Sequence, residues 1–563
     1  MKNKIMTELI ILIFTAFILS SCKKKLEEYN PSGLTEGALY TQAAGFETLV
    51  NAAYSYTRFW YGKEEGYSIA EMGTDIWTNG TGDVYPQLST YNNLQGNNTS
   101  ALTFEWSNLY AAINLCNLGL TNVGGIADYT VQQKALREAE LRFLRAFYYW
   151  HIVEIWGGAH FTIEPTKGAV TTANRTPEDV FYNQIISDLQ FAIANLPASA
   201  PAQYGRVWQP VAKAFLARIY LTRNKNNEAI ALANDVIKNY GFTLQAKYAD
   251  LWNMGNLKNK EVIWAVDYST NLSLNDIATS AYPLGHPRGS NNGHLFFLMT
   301  YDQVNGGVLA RDINNGRPFN RYMPTLALLN MFDETNDSRY DASLQTVWYA
   351  NKAARTAGNI FNTSDTFNFK IGDTVVYAPK IAVPSSISNA KHYTTYDISR
   401  VYGNNNIPGQ RKFYISLKKF KDSTRTSSNE AQSARDVFIM RLAEMYLIAA
   451  EAEFKIGKSD SAAYYLNVIR TRAALPGRTA NMQITAANVN LDFILDERAR
   501  ELAGEQLRWF DLKRTNKLVD RVKALNPDGA QFIQAYHMLR PIPQSQIDAV
   551  TNKDVFKQNP GYQ

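Results

Sequence analysis

Hydrophobic positions in Arg137–Phe161, REAELRFLRAFYYWHIVEIWGGAHF, recur at a helical spacing on two sides at once. At about 100° per residue, Ala139, Phe143, Ala146, Trp150 and Val153 share one face. Leu141, Leu144, Tyr148, Ile152 and Ile155 share the opposite one. A narrow polar stripe of Glu138, Arg142 and Arg145 runs between them, with Glu138 and Arg142 spaced to pair one turn apart. A helix apolar on two opposite faces must lie between other helices, and Gly157-Gly158 stops it. The pattern predicts a chain built by stacking helices in layers.

The same period marks Ala38–Arg58, Glu105–Leu120 and a helix opened by Thr176-Pro177-Glu178-Asp179 that runs to Asn195. In VAKAFLARIYLTRNKNNEAIALANDVIKNYGF, Leu216, Ala217, Tyr220 and Ala229 follow the large, small, aromatic, small spacing of a tetratricopeptide helix pair. Ala450, Phe454 and Ala463 in RLAEMYLIAAEAEFKIGKSDSAAYYLNVIRTRA repeat those separations, although Glu451 stands where a small residue is usual. Two units so far apart make no continuous solenoid alone. The helices around 105–161 and 177–195 are therefore expected to supply the neighbouring layers.

Elsewhere the helical period fails. Residues 60–100 are rich in Gly and Asn and studded with rings, which predicts a long surface loop region. Residues 241–430 read as a loop-rich insert with minor sheet. EVIWAVDY (Glu261–Tyr268) alternates like a strand, and VVYAP and KFYISLKKF supply short β-like pieces. Helix returns up to Leu525, followed by RPIP, a short helix and the turn-forming tail QNPGY.

Composition adds an address and removes several chemistries. Hydrophobic residues make up 45% and charged residues 19%, a globular balance. The formal charge is +6; Lys2, Lys4 and Glu8 precede Cys22, so cleavage there removes +1 and leaves +5. Beyond Lys23–Lys25 no dense basic block exists, which argues against nucleic acid. Lys2 and Lys4 precede the apolar run Leu9–Leu19 and then Leu19-Ser20-Ser21-Cys22. That is the shape of an export signal, too short to span a bilayer, which takes about 20 helical residues. Its end resembles a bacterial lipobox, implying cleavage before Cys22 and lipidation of it. The division is then a signal peptide at 1–21, a tether at 22–36 and a body at 37–563. Within the body, 105–240 and 435–525 carry most of the helical scaffold. Cys116, the other cysteine, lies in an apolar helical run and reads as a core residue, so no disulfide framework or cysteine metal site is available.

HExxH, GxSxG and GxGxxG are absent, and Gly457-Lys458-Ser459 lacks the upstream glycine of a phosphate loop, having Ala452 there. The six histidines are scattered. Glu497, Glu501 and Glu505 stand one turn apart in LDERARELAGEQLRWFDLKR, as paired catalytic carboxylates would. The spacing of Asp496–Arg500, Arg498–Glu501 and Glu505–Arg508 favours ion pairs along one helix instead. DETNDSRYD, Asp333–Asp341, lacks the glycine and terminal Glu of a calcium loop and reads as a solvated loop.

Taken in order, the lipobox at Cys22, WGGAHF, YLTRNKNNEAIALANDVI, EVIWAVDY, RLAEMYLIAAEAEF with LNVIRTRA, ERARELAGEQLRWFDLKR, RPIP and QNPGY resemble the RagB/SusD family of Bacteroidetes surface lipoproteins. The resemblance spans nearly the whole chain. It implies a mainly helical fold, with four tetratricopeptide-like helix pairs forming a right-handed superhelical scaffold beneath an irregular ligand-binding half. It also implies capture of oligosaccharides, or of peptides in some members, without cleavage; the residues themselves give no cofactor motif and no metal-ligand set. The partner it implies is a SusC-like TonB-dependent transporter, over which the lipoprotein acts as a lid. An interaction scaffold serving mainly as that lid is the other reading. Glu27-Glu28 behind Cys22 suits an outward-facing outer-membrane location in this family.

Neutral sugars offer no charge, so such a role needs aromatic faces flanked by amides and hydroxyls on loops. The ring-bearing loops supply Trp77, Asn79, Tyr85 and Tyr91, with Asp83 beside them, and Tyr282, His286 and Arg288 in the second region. Trp77 heads these candidates because Asn79 and Asp83 accompany it in a polar, Gly-rich setting.

Overall fold

The computed structural model describes residues 40–271, 291–304, 306–357 and 366–563. Its fold is mainly helical. Nine helices organise it: α1 Ser100–Asn122, α2 Val131–Trp156, α3 Glu178–Asn195, α4 Gln209–Thr222, α5 Asn226–Asn239, α6 Leu442–Lys455, α7 Ser459–Ala473, α8 Leu491–Leu502 and α9 Arg508–Arg514. Helix α2 is the doubly apolar stretch. A reciprocal cap opens it: the Thr130 hydroxyl accepts from the Gln133 amide N–H at 3.2 Å, and the Gln133 side chain accepts from Thr130 N–H at 2.9 Å. Gly157, at φ 71°, closes it.

Both apolar faces of α2 are buried, one against α1 and one against α3. The polar stripe is not left to water. Arg142 pairs with Glu138 at 2.7 Å and with Asp188 of α3 at 3.1 Å. Arg145 grips Asp188 with two nitrogens at 2.9 and 2.8 Å and donates to Asn117 of α1 at 3.0 Å. The stripe thus fastens three layers together.

The stack continues from α3 through α4, α5 and α6 to α7, each helix packing on the next. The two tetratricopeptide-like pairs, α4/α5 and α6/α7, therefore lie directly against each other although residues 240–441 separate them. The helix Glu178–Asn195 supplies the neighbouring layer expected on the other side of α4. Leu216, Ala217, Ala229 and Ala450 are buried as the motif requires. Glu451 is buried too, and pairs with Arg514 at 2.8 Å and Lys455 at 3.0 Å. Burial alone would raise its pKa, but the Arg514 charge and hydrogen bonds outweigh it and bring the carboxyl down to about 2. The helix expected to be capped by Thr176 starts one residue later, with Pro177 as the cap, because Thr176 is bridged to Ala159.

The strand Val262–Val266 pairs antiparallel with Val437–Arg441, so residues 267–436 leave and rejoin the scaffold through one two-stranded stem. All five residues of the first strand are buried, where simple alternation would leave one face wet. Beyond the stem the described residues form small sheets of two or three strands. The C-terminal tail folds back on the end of α2. Asn559 donates to Trp156 O at 3.0 Å and to Arg540 O at 2.8 Å, and Trp156 Nε1 donates to Pro541 O at 3.0 Å.

Residues 60–100 correct the surface-loop reading. They hold the helices Glu64–Glu71 and Pro86–Thr90 and the strand Trp77–Asn79, and most of residues 60–78 are buried. Their glycines permit backbone contact: a Cβ on Gly66 would lie 2.3 Å from Trp60 O.

Candidate functional site

Glu497 and Glu501 of α8, and Glu505 just beyond its end, face inward. Glu497 contacts Arg339 at 2.8 Å, Arg470 at 2.8 Å and Arg500 at 2.7 Å. Glu501 contacts Arg339 at 2.9 Å, Arg441 at 2.6 Å and Arg472. Glu505 takes Arg441 at 2.7 Å and Lys419 at 3.1 Å. The expected same-helix pairs are replaced by long-range ones: Asp496 with Arg521, Arg498 with Asp511, and Arg508 with Asp75. Glu497, Glu501 and Arg339 are 0% exposed. Burial would raise both carboxyls, but the arginine charges outweigh it and hold them well below the usual range. Glu497, Glu501 and Arg339 are thus closed off from solvent.

Asp333–Asp341 departs from a purely solvated loop. Asp333 closes a turn on Thr335 and Asn336, while Asp337 is buried against Arg339 at 2.7 Å. Among the described residues no cluster of three or more His, Cys, Asp or Glu is placed to hold a metal.

The sugar-stacking candidates divide. Trp77 is 0% exposed, with its ring edge-on to Phe297 at 4.8 Å. Tyr91 is 2% exposed, with its hydroxyl donating to Gly73 O at 2.7 Å. Both belong to the core in this structure, which corrects their placement on a binding surface; the glycines around them signalled close packing, not exposure. Tyr282, His286 and Arg288 lie outside the described residues. Asn79 and Tyr85 remain near the surface. Asn79 Oδ1 accepts from Arg411 at 2.9 Å, and Arg411 also pairs with Asp528 at 2.6 Å. Tyr85 is half-buried, its hydroxyl donating to Glu65 at 3.0 Å, and Asp83 accepts from Tyr85 N–H at 2.9 Å and Ser89 Oγ at 2.7 Å.

What surrounds Asn79 and Tyr85 comes from far along the chain. The strand Trp77–Asn79 pairs with Tyr322–Pro324, opposing Asn79 to Tyr322. Gly80 N–H then donates to Arg321 O at 2.8 Å and Gly82 N–H to Asn320 O at 2.9 Å; a Cβ on Gly80 would fall 2.0 Å from Asn320 Oδ1. Asn320 in turn donates to Lys412 O at 2.8 Å. These contacts bring three segments together in a ledge bearing the half-buried rings Tyr85, Phe319 and Phe413. Arg317 and Arg321 lie over Phe319 at 5.1 and 5.0 Å, Lys412 lies over Phe413 at 5.3 Å, and Tyr396 stacks on Phe413 at 4.7 Å. Sequence reading missed Phe319, Tyr396, Arg411 and Phe413. GRPFNRY carried a ring in the loop-rich insert and RKFY opened a β-like piece, but nothing in their spacing joined them to residues 79–85. Chemically, the ledge offers ring faces with amide and guanidinium donors beside them, and the carboxylates Glu64, Glu65 and Asp83 adjoin it, with Glu64 paired to Arg321 at 2.6 Å.

Two family models match the chain: one described as the SusD family over residues 260–562, and one described as starch-binding, associating with outer membrane, over residues 45–221. The SusD-like protein P25 of Formosa agariphila is 25% identical over 562 residues, covering 96% of each chain. Among solved structures, a laminarin binding SusD-like protein superposes with a TM-score of 0.69 at 22% identity, covering 92% of this chain and 100% of that one. The surface glycan-binding protein A from Bacteroides thetaiotaomicron, in complex with laminarihexaose, gives a TM-score of 0.66 at 20% identity over 92% of this chain and 99% of that one.

Proposed function

The chain belongs to the SusD family, and from that footing we propose that it is an outer-membrane lipoprotein that captures oligosaccharides and passes them, uncut, to a TonB-dependent transporter. The observation that carries this reading is the ledge, where Tyr85, Phe319 and Phe413 gather with Asn79 and the cations Arg317, Arg411 and Lys412. Ring faces take the C–H surfaces of a sugar, and the amide and guanidinium donors take its hydroxyls. The relatives support the ligand class, since two of the similar structures are named for glycan binding. Enclosure of Glu497 and Glu501 by arginines supports capture without cleavage. The signal ending at Cys22 supports a lipid anchor, with residues 23–36 as tether and the exterior face as location.

The test is calorimetry on residues 23–563 against a panel of neutral polysaccharides, their oligosaccharides and peptides, with Phe413→Ala and Tyr85→Ala alongside. Saturable binding of one glycan class, weakened about tenfold in Phe413→Ala without new reducing ends, is the expected result. Binding confined to peptides would move the chain to a different ligand class within the family. For the handover step, cross-linking on intact cells should recover a transporter; recovery of none removes the partner from the proposal.

A further inference from the structure

A cleft of about 620 Å³ with a mixed polar and apolar lining opens elsewhere in the loop-rich half, within the range of small-molecule sites, about 300–1,000 Å³. Its floor is locked by its own hydrogen bonds. The Asp312 carboxylate accepts from Asn315 N–H at 2.6 Å, from Asn315 Nδ2 at 2.9 Å and from Asn351. Gln345 donates to Asn315 at 2.9 Å, and Lys421 donates to Asn314 O at 3.0 Å. Such a floor keeps its shape whether or not a ligand is present.

The rim is different. The strand Val347–Tyr349 alternates, so Trp348 is buried at 1% and Tyr349 stands out at 54%. Tyr349 opposes Thr374 across its sheet and lines the cleft. Asp341, Lys418 and the side chain of Asn314 also line it, and among the described residues none of the three has a side-chain hydrogen bond or ion pair. The larger open cleft, of about 710 Å³, has no aromatic residue in its lining. The Tyr349 cleft sets a ring beside the mutually attracting Asp341 and Lys418 and the amide residue Asn314, which offers a pyranose a stacking face with hydroxyl partners; the larger cleft lacks the ring. The charged side chains lining the Tyr349 cleft are Asp312, Asp341, Lys418 and Lys421, and burial lowers both lysines, Lys421 to about 7, so the cleft has no excess of positive charge to select an acidic sugar.

We propose that this cleft is a second saccharide subsite, taking a neutral pyranose unit on the face of Tyr349 with its hydroxyls shared among Asp341, Lys418 and Asn314. The subsite rests on the glycan-binding reading of the chain but not on the ledge. Two subsites on one chain raise avidity for a glycan long enough to reach both.

Affinity gel electrophoresis of residues 23–563 tests it, with laminarin, starch, xylan and galactomannan as neutral probes and alginate and dextran sulfate as charged ones. The expected result is retardation by a neutral polysaccharide. Tyr349→Ala should weaken it about 3- to 10-fold, the range a lost aromatic contact gives, while Tyr349→Phe retains it. Tyr349 is exposed, so unfolding midpoints should match the wild type. Unchanged retardation in Tyr349→Ala, with loss in Phe413→Ala, overturns the subsite and leaves the glycan-binding reading standing. Retardation by alginate or dextran sulfate alone overturns the neutral class. No retardation of the wild type by any probe overturns both.

Discussion

Glu501 and Glu71 are both wholly buried glutamates in one chain, and their surroundings hold them in opposite states. Glu501 lies in a seam where Arg339 from the insert, Arg441 from the stem and Arg472 from α7 converge on α8. Glu261, also in the stem, joins it through Arg441 at 3.0 Å and Arg472 at 2.9 Å. Glu71 lies in the folded-in segment 60–78, where it accepts one hydrogen bond, from Leu507 N–H at 3.2 Å, and its second oxygen has no partner. Burial pushes the Glu71 carboxyl up to about 8, with the nearby backbone of Gln506 and Leu507 and the Arg508 charge offsetting only part of that. Glu105 in α1 is raised as well, by burial and then by Glu65, and neither of its oxygens is hydrogen-bonded. Burial desolvates a carboxyl equally in both places; converging cations decide whether it stays charged. The seam uses charge where segments remote in sequence must meet, whereas Glu71 and Glu105 stay neutral among packed rings; Asp75, four residues from Glu71, keeps its charge because Arg508 and Arg521 converge on it.

The largest effects should come from removing one member of either arrangement. Arg339→Ala leaves Asp337, Glu497 and Glu501 under-compensated inside the protein and is expected to cost about 3–5 kcal/mol. Trp77→Ala opens a cavity against Phe297 and is also expected to cost about 3–5 kcal/mol. Urea unfolding at pH 7 measures both. A loss under about 1 kcal/mol for Arg339→Ala would mean that the arginine is dispensable to the seam.

Acid titration then separates the two variants. Glu451, Glu497 and Glu501 have folded pKa values below the unfolded 4.5. Their contribution is fully present above pH 4.5 and is lost as pH falls toward the folded values. Wild-type stability should therefore drop steadily between about pH 5 and pH 2. Arg339→Ala relieves part of the depression, so its acid limb should be shallower. Trp77→Ala removes no charge and should keep the wild-type slope. Equal slopes in all three proteins would detach the seam from acid stability.

Much of the scaffold was legible because its signals are local. The period of α2, the stop at Gly157 and the small residues at Ala217 and Ala229 each act within one or two turns. The cap at Thr130 and Gln133 was equally local and went unread. The seam was not legible, since spacing rules propose partners on the same helix, whereas Glu501 takes Arg339, Arg441 and Arg472. The same composition misled at residues 60–100, where Gly and Asn suggested a wet loop. Gly66 and Gly80 are there because another backbone or a buried side chain occupies the space of a Cβ. Half of the ledge follows from that error: Asn79 and Tyr85 were found as neighbours in sequence, whereas Phe319 and Phe413 join them only through strand register and the Gly80–Asn320 contact.

The smallest effect, and the one that tests the comparison by its sign, belongs to Glu71→Gln. The amide reproduces the shape of a protonated carboxyl and keeps an oxygen for Leu507 N–H. With a folded pKa near 8 against 4.5 unfolded, wild-type Glu71 binds its proton more tightly when folded. Its contribution is fully present below pH 4.5 and declines as pH rises toward 8. Glutamine cannot ionise in either state, so the decline disappears. The variant should match the wild type at pH 4 and exceed it at pH 8 by about 1–2 kcal/mol, less than the whole shift implies because water relaxes around an ionised buried group. Glu501→Gln, a chemically identical change in the seam, should instead destabilise at pH 8, because three arginines lose charge they were paired with. Two isosteric substitutions of opposite sign would establish that converging arginines, and not burial, set the state of these glutamates. A loss of stability in both at pH 8 would mean that Glu71 is ionised in the folded protein and that the contrast between the regions is false.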